Sequence, residues 1–528
     1  MPYTRHNVNP PNQKHVKTIS LMAKSGLNLK DLAEFMNPAY ALRNVNYFVL
    51  NNKGLSKRGG IAELITVAGD KPITMFEEWK GYYIFGYDTT VAAYDPTTDT
   101  VTDIKTDWVT DAPFSGARYG DYFFVGNTGN KINYITEAAG VFTITEIAAA
   151  PMSGVIEAIG ARLFAGVGTD VYYCDVDDGS NPPFQTWTVS EIASTGGTVS
   201  FRNAGTVNSI CSLGDIIVAF GDTGKYAFRI TQQSDGTGTI VKIEEVVIDR
   251  VDMGGARGAI TCPKGLFYVN EAGLWQLISL GQPNIPFSDQ EGLTSVLLGT
   301  DYFDDVNIDN IDIVYYDRFS TILVTCAKAA ARNNHVIAYN PDIGAFSTFS
   351  NWNINRWMKI ESDIYGASSV KTTLYRCFVG SSDDGIDISV DYLQELRCGD
   401  LWTRQMLYGG YIKGFLHSTA VVHVAYDIYN VKGEPESNKL EFDWTAQYSA
   451  LDTDGWGTAI WGESSWGGDA DSSELIECFD GHHHFIRNFQ RIRIHITEGS
   501  NLPHQIDWFS VDARPKAEIR RRKMKLTS

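Results

Sequence analysis

The chain has 528 residues, 43% hydrophobic and 20% charged, which excludes a disordered polymer and sets the expectation of two or three domains, or one large repeat domain with appendages. Acidic residues outnumber basic ones by 63 to 44, a formal charge of -19, which argues against a general nucleic-acid coat, because neutralising phosphates takes clustered Lys and Arg. A wall that DNA slides past without sticking is compatible with that charge.

Glycine is the loudest feature, at 49 residues, spread along the chain beside Asp, Asn and Thr. That is the composition of many short strands joined by tight turns, and it predicts an all-β fold. Seven cysteines stand singly with no C-x-x-C pair, so they read as small buried hydrophobes rather than zinc ligands or a disulfide framework. No run of about 18 apolar residues and no basic-then-apolar leader is present, so the expectation is a chain made in a cytoplasm, with no signal peptide and no membrane span.

In chain order, the first predicted element is a short amphipathic helix over Asn28-Leu-Lys-Asp-Leu-Ala-Glu-Phe-Met36, capped by Asn28, with Leu29, Leu32, Ala33 and Met36 on one face. A repeat then begins. Lys80-Gly-Tyr-Tyr-Ile-Phe-Gly86 recurs as Tyr119-Gly-Asp-Tyr-Phe-Phe-Val-Gly126, as Ile159-Gly-Ala-Arg-Leu-Phe-Ala-Gly166 and as Leu213-Gly-Asp-Ile-Ile-Val-Ala-Phe-Gly221. Each copy is a turn followed by an apolar strand, and each is followed by a second strand, at 91–95, 131–136, 170–174 and 225–230. Weaker copies follow at Gly265-Leu-Phe-Tyr-Val-Asn270 with Gly273-Leu-Trp-Gln-Leu277, at 317–325 with His335-Val-Ile-Ala-Tyr-Asn340, and at 372–380. A period near 40 to 45 residues is what four-stranded propeller blades produce. The reading is a six- or seven-bladed β-propeller over residues 70–390, with helical period confined to short segments such as 329–333. Residues 1–69 and 391–528 flank it and are expected to come together as one β-rich platform domain. The C-terminal flank is predicted to carry longer strands at 414–428, 439–448, 487–496 and 506–513, a Trp-rich loop with Trp456, Trp461 and Trp466, and a basic end.

Few residues suggest chemistry. The metal candidate is His482-His483-His484, with His495 and His504 downstream, but adjacent histidines on a strand point to opposite faces, and a polar loop before a strand is the plainer reading. Asp175-Val-Asp-Asp-Gly179 lacks the order and closing Glu of a calcium loop and reads as a turn. Ser381-Ser-Asp-Asp-Gly-Ile-Asp387 partly resembles the Asp-box turn of propeller sialidases, occurs once and lacks the aromatic. With no G-x-S-x-G, P-loop, H-E-x-x-H or dinucleotide fingerprint, no enzyme and no cofactor are expected. The basic tail, Arg514 with Arg520, Arg521, Arg522, Lys523 and Lys525, reads as a clasp on an acidic neighbouring subunit, a contact to DNA phosphates, or a solvated end.

Three stretches resemble a known family. They are Leu42-Arg-Asn-Val-Asn-Tyr-Phe-Val-Leu-Asn-Asn-Lys-Gly-Leu-Ser-Lys-Arg-Gly-Gly60; the mid-repeat Arg162-Leu-Phe-Ala-Gly-Val-Gly-Thr-Asp-Val-Tyr-Tyr-Cys174, with Asn181-Pro-Pro-Phe-Gln-Thr-Trp187 after it; and the closing pair Phe489-Gln-Arg-Ile-Arg-Ile-His-Ile496 and Ile506-Asp-Trp-Phe-Ser-Val-Asp-Ala-Arg-Pro515. Together they resemble the tail nozzle, or packaged-DNA-stabilisation, proteins of short-tailed bacteriophages. The resemblance implies a virion protein at the distal end of a short tail. Its partners would be itself in a homohexameric ring, the tail tube or adaptor and fibres, with genomic DNA passing through the channel without sequence-specific binding. The Trp-rich loop and the triple His have no counterpart in it. The alternatives are a glycan-binding or glycan-cleaving propeller, or a tail or head-to-tail ring protein at another virion position.

Overall fold

A computed structural model describes residues 17–20, 28–29, 40–51, 54–67, 69–176, 182–187, 196–201, 203–234, 239–248, 254–255, 258–279, 287–290, 298, 300–397, 405–417, 419–430, 440–445, 475–498 and 502–515. Among these the protein is all-β: sheets paired antiparallel apart from the parallel contact of Ser382–Asp383 with Gly60–Thr66, with two short 3-10 turns at Thr300–Phe303 and Asp317–Phe319. The expected helix at 28–36 lies outside the described residues except Asn28 and Leu29, and Asn28 donates its backbone N–H to the Ala41 carbonyl at 2.9 Å. The chain divides into two compact units, one of residues 1–58, 343–347 and 387–528, the other of residues 59–342 and 348–386.

The second unit is a series of small sheets. The first is Ile73–Trp79, Tyr82–Tyr87, Thr90–Asp95 and Thr100–Lys105; the second is Phe114–Tyr119, Tyr122–Asn127, Asn130–Ala138 and Val141–Glu146. The third, fourth and fifth open with Ile156–Ile159, Val207–Leu213 and Ala259–Cys262, and each has four strands in sequence order. The sixth set of strands runs Val306–Tyr316, Thr321–Lys328 and His335–Asn340. The seventh runs Ile354–Ile360, Asp363–Ser368 and Thr373–Val379. Its fourth strand comes from the start of the unit: Gly60–Thr66 pairs antiparallel with Thr373–Val379.

The repeated glycines lead the second strand of the first four sheets. Lys80 and Gly81 both have positive φ, 53° and 83°, the tight-turn geometry whose twist matches the flanking strands. Each sheet buries large apolar side chains on both faces. Phe76, Phe85 and Ala92 of the first sheet pack with Met358, Ala367 and Leu374 of the seventh, and Trp79 and Ile84 pack with Phe114 and Phe123 of the second. The first strand of each sheet lies against the first strand of the next, from the first sheet to the seventh and back to the first.

The first unit is one sheet woven from both ends of the chain. Leu475–Glu498 and His504–Pro515 both pair with Gln405–His417, and Asp391–Arg397 and Val421–Asn430 pair with Leu475–Glu498. From the N-terminal side, Arg43–Val45 pairs with Asp391–Arg397, while Lys17–Ser20 and Leu55–Lys57 pair with His504–Pro515. Ile492, Ile494 and Ile496 are buried with Val422, Val424, Tyr426 and Trp444, while Arg491, Arg493 and His495 between them face away, the period-two pattern of a strand buried on one side.

Four expectations change. Residues 60–66, read as part of the N-terminal flank, belong to the second unit because Gly60–Thr66 finds its ladder partner there. Residues 329–333 are a bend between two strands, with Ala329 at positive φ (49°), rather than a helical turn. The strand expected at 414–428 is two, Gln405–His417 and Val421–Asn430, separated by a turn in which Ala420 N–H bonds the His417 carbonyl at 2.9 Å. The triple His lies within the strand Leu475–Glu498, not in a loop, where His482 and His483 pair with Gly410 and Gly409.

Candidate functional site

Among the described residues, those read as candidates from sequence do not come together. Arg514 lies on His504–Pro515, with Met406 as its ladder partner, whereas Arg520 to Lys525 and the three tryptophans of the 456–466 loop lie outside the described residues. The side chains of His482, His483 and His484 and the residues 177–179 lie outside the description as well. His504, grouped with the triple His, is buried and hydrogen-bonded through Nε2 to Tyr47 Oη at 2.7 Å. The Asp-box-like stretch forms a turn with Asp384 and Gly385 at positive φ (51° and 82°). Its Asp383 Oδ1 accepts the indole N–H of Trp352 at 3.0 Å, so an aromatic arrives from outside the motif and the carboxylate holds a turn.

The convergence that does exist was not singled out from sequence. A cavity of about 250 Å³ is lined by the first strands of all seven sheets of the second unit. Glu77 of the first strand and Glu157 of the third sheet line it, with Ser209, Asp312, Arg356 and Trp357 from the fourth, sixth and seventh sheets. Burial, then the Glu157 carboxylate, push Glu77 up to about 8, against the pull of Arg118. Glu157 lines the same cavity, and desolvation raises its carboxyl to about 7. Asp312 accepts the Trp357 backbone N–H at 2.7 Å.

Arg356 is buried and reads as structural on two of its nitrogens: Nε donates to the Thr74 carbonyl at 2.9 Å and Nη1 to the Asn355 carbonyl at 2.8 Å. Its Nη2, the Ser209 hydroxyl and the Trp357 indole N–H are buried without a hydrogen-bond partner. All three residues are less than one-tenth exposed, at 7%, 8% and 6%. These three atoms are closed off from the cavity that their residues line.

A larger cavity of about 1040 Å³ adjoins it, and Gly154, Val155 and Asn208 line both. Its walls come from the second to fifth sheets and include Thr128, Thr206, Asp222 and Glu271. Asp222 is braced by the Thr206 backbone N–H at 3.1 Å and the Asn208 amide at 2.8 Å. The signal that could have found the inner site is the position of the carboxylates within the repeat, because Glu77, Glu78 and Glu157 stand three or four residues before the anchoring glycines Gly81 and Gly160, in otherwise apolar strands. Among the described residues no group of three His, Cys, Asp or Glu is placed to hold a metal ion, and no helix is long and apolar enough to cross a membrane.

No family model and no curated protein matches the chain. Among solved structures it is similar to the computationally designed Ika8 protein, at 9% identity and a TM-score of 0.38, over 60% of this chain and 99% of that one. So distant a likeness carries no argument about fold or function.

Proposed function

We propose that the chain is a structural virion protein, the nozzle at the distal end of a short phage tail, whose second unit is a seven-bladed β-propeller and whose first unit is the platform for contacts between copies. In this reading copies form a homohexameric ring that completes the tail tube, helps to retain the packaged genome and carries fibres or other tail parts. The observation that carries the proposal is the pairing of Gly60–Thr66 with Thr373–Val379. A strand from the start of a repeat array that completes the last sheet ties the two ends of the array together and leaves only short edges, and it makes a rigid body suited to assembly rather than to conformational chemistry.

The same pairing accounts for the Lys57-Arg58-Gly59-Gly60 end of the first resembling stretch. A Cβ on Gly59 would fall 2.6 Å from the Phe378 carbonyl carbon, and one on Gly60 would fall 1.8 Å from the Ser382 carbonyl oxygen, so only glycine admits this approach. The genome's route is the axis of the oligomer. The inner cavity, at about 250 Å³, is far too small for a duplex, and the net charge of -19 favours a passage to which DNA does not adhere.

Light scattering on the purified chain, alone and mixed with tail particles stripped of it, tests the proposal. A hexamer-sized species, or a monomer that assembles on the particles, supports it. A monomer that ignores the particles overturns it.

A further inference from the structure

We propose that the N-terminal strands of the first unit form a strap that clips both sides of a C-terminal sheet and is released on acidification, while Gly60–Thr66 keeps its ladder with Thr373–Val379 and holds the strap tethered. The inference stands on the packing of the first unit and does not depend on the nozzle reading.

Four strands from residues 391–515 make a continuous ladder without help from the N-terminal side, in the order Asp391–Arg397, Leu475–Glu498, Gln405–His417, His504–Pro515. The N-terminal strands flank it. Arg43–Val45 pairs with Asp391–Arg397 on one side, while Lys17–Ser20 and Leu55–Lys57 pair with His504–Pro515 on the other. Tyr47–Val49 joins the strap through its ladder with Leu55–Lys57. The strap's three ladders onto the sheet hold three, four and two residue pairs, against seven between Asp391–Arg397 and Leu475–Glu498, so the strap opens before the sheet it clips. The ion pair of Arg43 with Asp391 adds little hold, because its side chains are 49% and 30% exposed.

His504 ties the docked strap to pH. It belongs to the sheet and is buried, with its Nε2 2.7 Å from Tyr47 Oη of the strap and the two rings edge to face at 5.4 Å. Lys57 of the strap is buried as well and bears on the charge of His504. From its own side the Leu502 carbonyl lies 3.4 Å from Nδ1. Across the ladder its partner is Leu416, whose neighbour His417 turns its Nδ1 to Thr419 at 3.1 Å, and Tyr392 packs edge to face against Tyr47 at 6.5 Å. An imidazolium in this place would be desolvated and would meet the Lys57 ammonium as a like charge, so the docked strap takes the neutral ring. Burial first and Lys57 second hold the docked histidine at about 3, against an ordinary 6.5. Release returns the ring to water and to its ordinary proton affinity. Docking is therefore complete above about pH 6.5 and weakens about tenfold for each pH unit from there towards 3. A released strap leaves Asp391–Arg397 and His504–Pro515 with open sides that another strand could pair with, and the docked strap keeps them closed at neutral pH.

The test is hydrogen exchange of the full chain, followed by mass spectrometry from neutral pH down to about pH 4.5 and corrected for the intrinsic pH dependence of exchange. The expected result is that opening of residues 43–49 and 55–57 rises about tenfold for each pH unit below about 6.5, while residues 492–496 of the sheet and 60–66 of the tether stay protected. His504→Gln keeps an acceptor for the Tyr47 hydroxyl and takes no proton, so in it the opening of the strap is expected to lose its pH dependence. Strap opening in the wild type that ignores pH, opening of residues 492–496 together with the strap, or a pH dependence that survives in His504→Gln would each overturn the proposal. Should His504→Gln lose the circular dichroism of the wild type, Tyr47→Phe decides. It removes one hydroxyl from the strap and is expected to speed exchange of the strap alone; an equal rise at residues 492–496 would show that strap and sheet open as one and overturn the proposal.

Discussion

His504 sits in the first unit with its Nε2 2.7 Å from Tyr47 Oη. Burial first, and the Lys57 ammonium second, push its pKa from 6.5 down to about 3. The unfolded chain therefore binds a proton that the folded chain refuses, and stability falls as pH drops from about 6.5 towards 3. The loss is roughly 1.4 kcal/mol per pH unit across that window. His335 in the second unit behaves alike: burial, then Lys328, lowers it to about 4. Glu77 has the opposite sign. Its carboxyl, raised from 4.5 to about 8, favours the folded state at low pH and loses that contribution as pH rises from 4.5 through 8. Thermal melts of Glu77→Gln are expected to show a gain over wild type that is larger at pH 8 than at pH 5; equal gains would show that burial of the charge is not the cause. A buried ion pair supplies a test independent of pH. Glu395, only 2% exposed, accepts from Arg493 Nε at 2.6 Å and Arg491 Nη1 at 3.2 Å. Glu395→Ala strands two guanidinium groups and is expected to cost about 3 kcal/mol, near the lower end of the range for broken buried pairs because the arginines are partly exposed. Denaturant titration measures it.

At the scale of elements, the strand that completes the seventh sheet is the one whose loss matters most. Thr66 Oγ1 lies 2.6 Å from Thr373 Oγ1 across 307 residues of sequence, and Glu63 pairs with Tyr375 in the same ladder. Glu63→Pro removes a ladder donor and forces a kink, so it is expected to destabilise the second unit by about 3 kcal/mol and to open residues 60–66 to protease, as timed digestion would show. The same substitution at Thr143, whose strand Val141–Glu146 is the outer edge of the second sheet, is expected to cost far less. The repeated turns and second strands were legible in the sequence because a glycine at positive φ followed by bulky apolar residues is a local signal. The partner of Gly60–Thr66 was not, because strand pairing is decided by hydrogen bonds to residues far along the chain, and no local pattern encodes that address. The single long strand expected at 414–428 failed for a related reason. Alternation continues through 418–420, while the turn there is made by backbone bonds and by His417 Nδ1 beside Thr419 Oγ1 at 3.1 Å.

For the whole molecule, the division into units predicts how the chain can be cut. A fragment of residues 59–386 contains all of the second unit and is expected to fold alone with cooperative unfolding. A fragment of residues 387–528 lacks Arg43–Val45, Leu55–Lys57 and the core side chain Tyr47. It is expected to be protease-sensitive unless residues 1–58 are co-expressed with it; equal resistance with and without them would show that the C-terminal part needs no N-terminal strands. Composition and repeat spacing, read by themselves, determined that this protein is all-β, that a repeat array occupies its middle and that its flanks differ from that array, since glycine turns and apolar alternation act over a few residues. Tertiary structure alone decided which strands close the last sheet, that the two ends of the chain share one sheet, and that Glu77, Glu157, Ser209, Arg356 and Trp357 meet. Those facts depend on residues from separate repeats arriving at one place, where burial shifts their charge and leaves donors unpaired, and such proximity exists only once the sheets have packed.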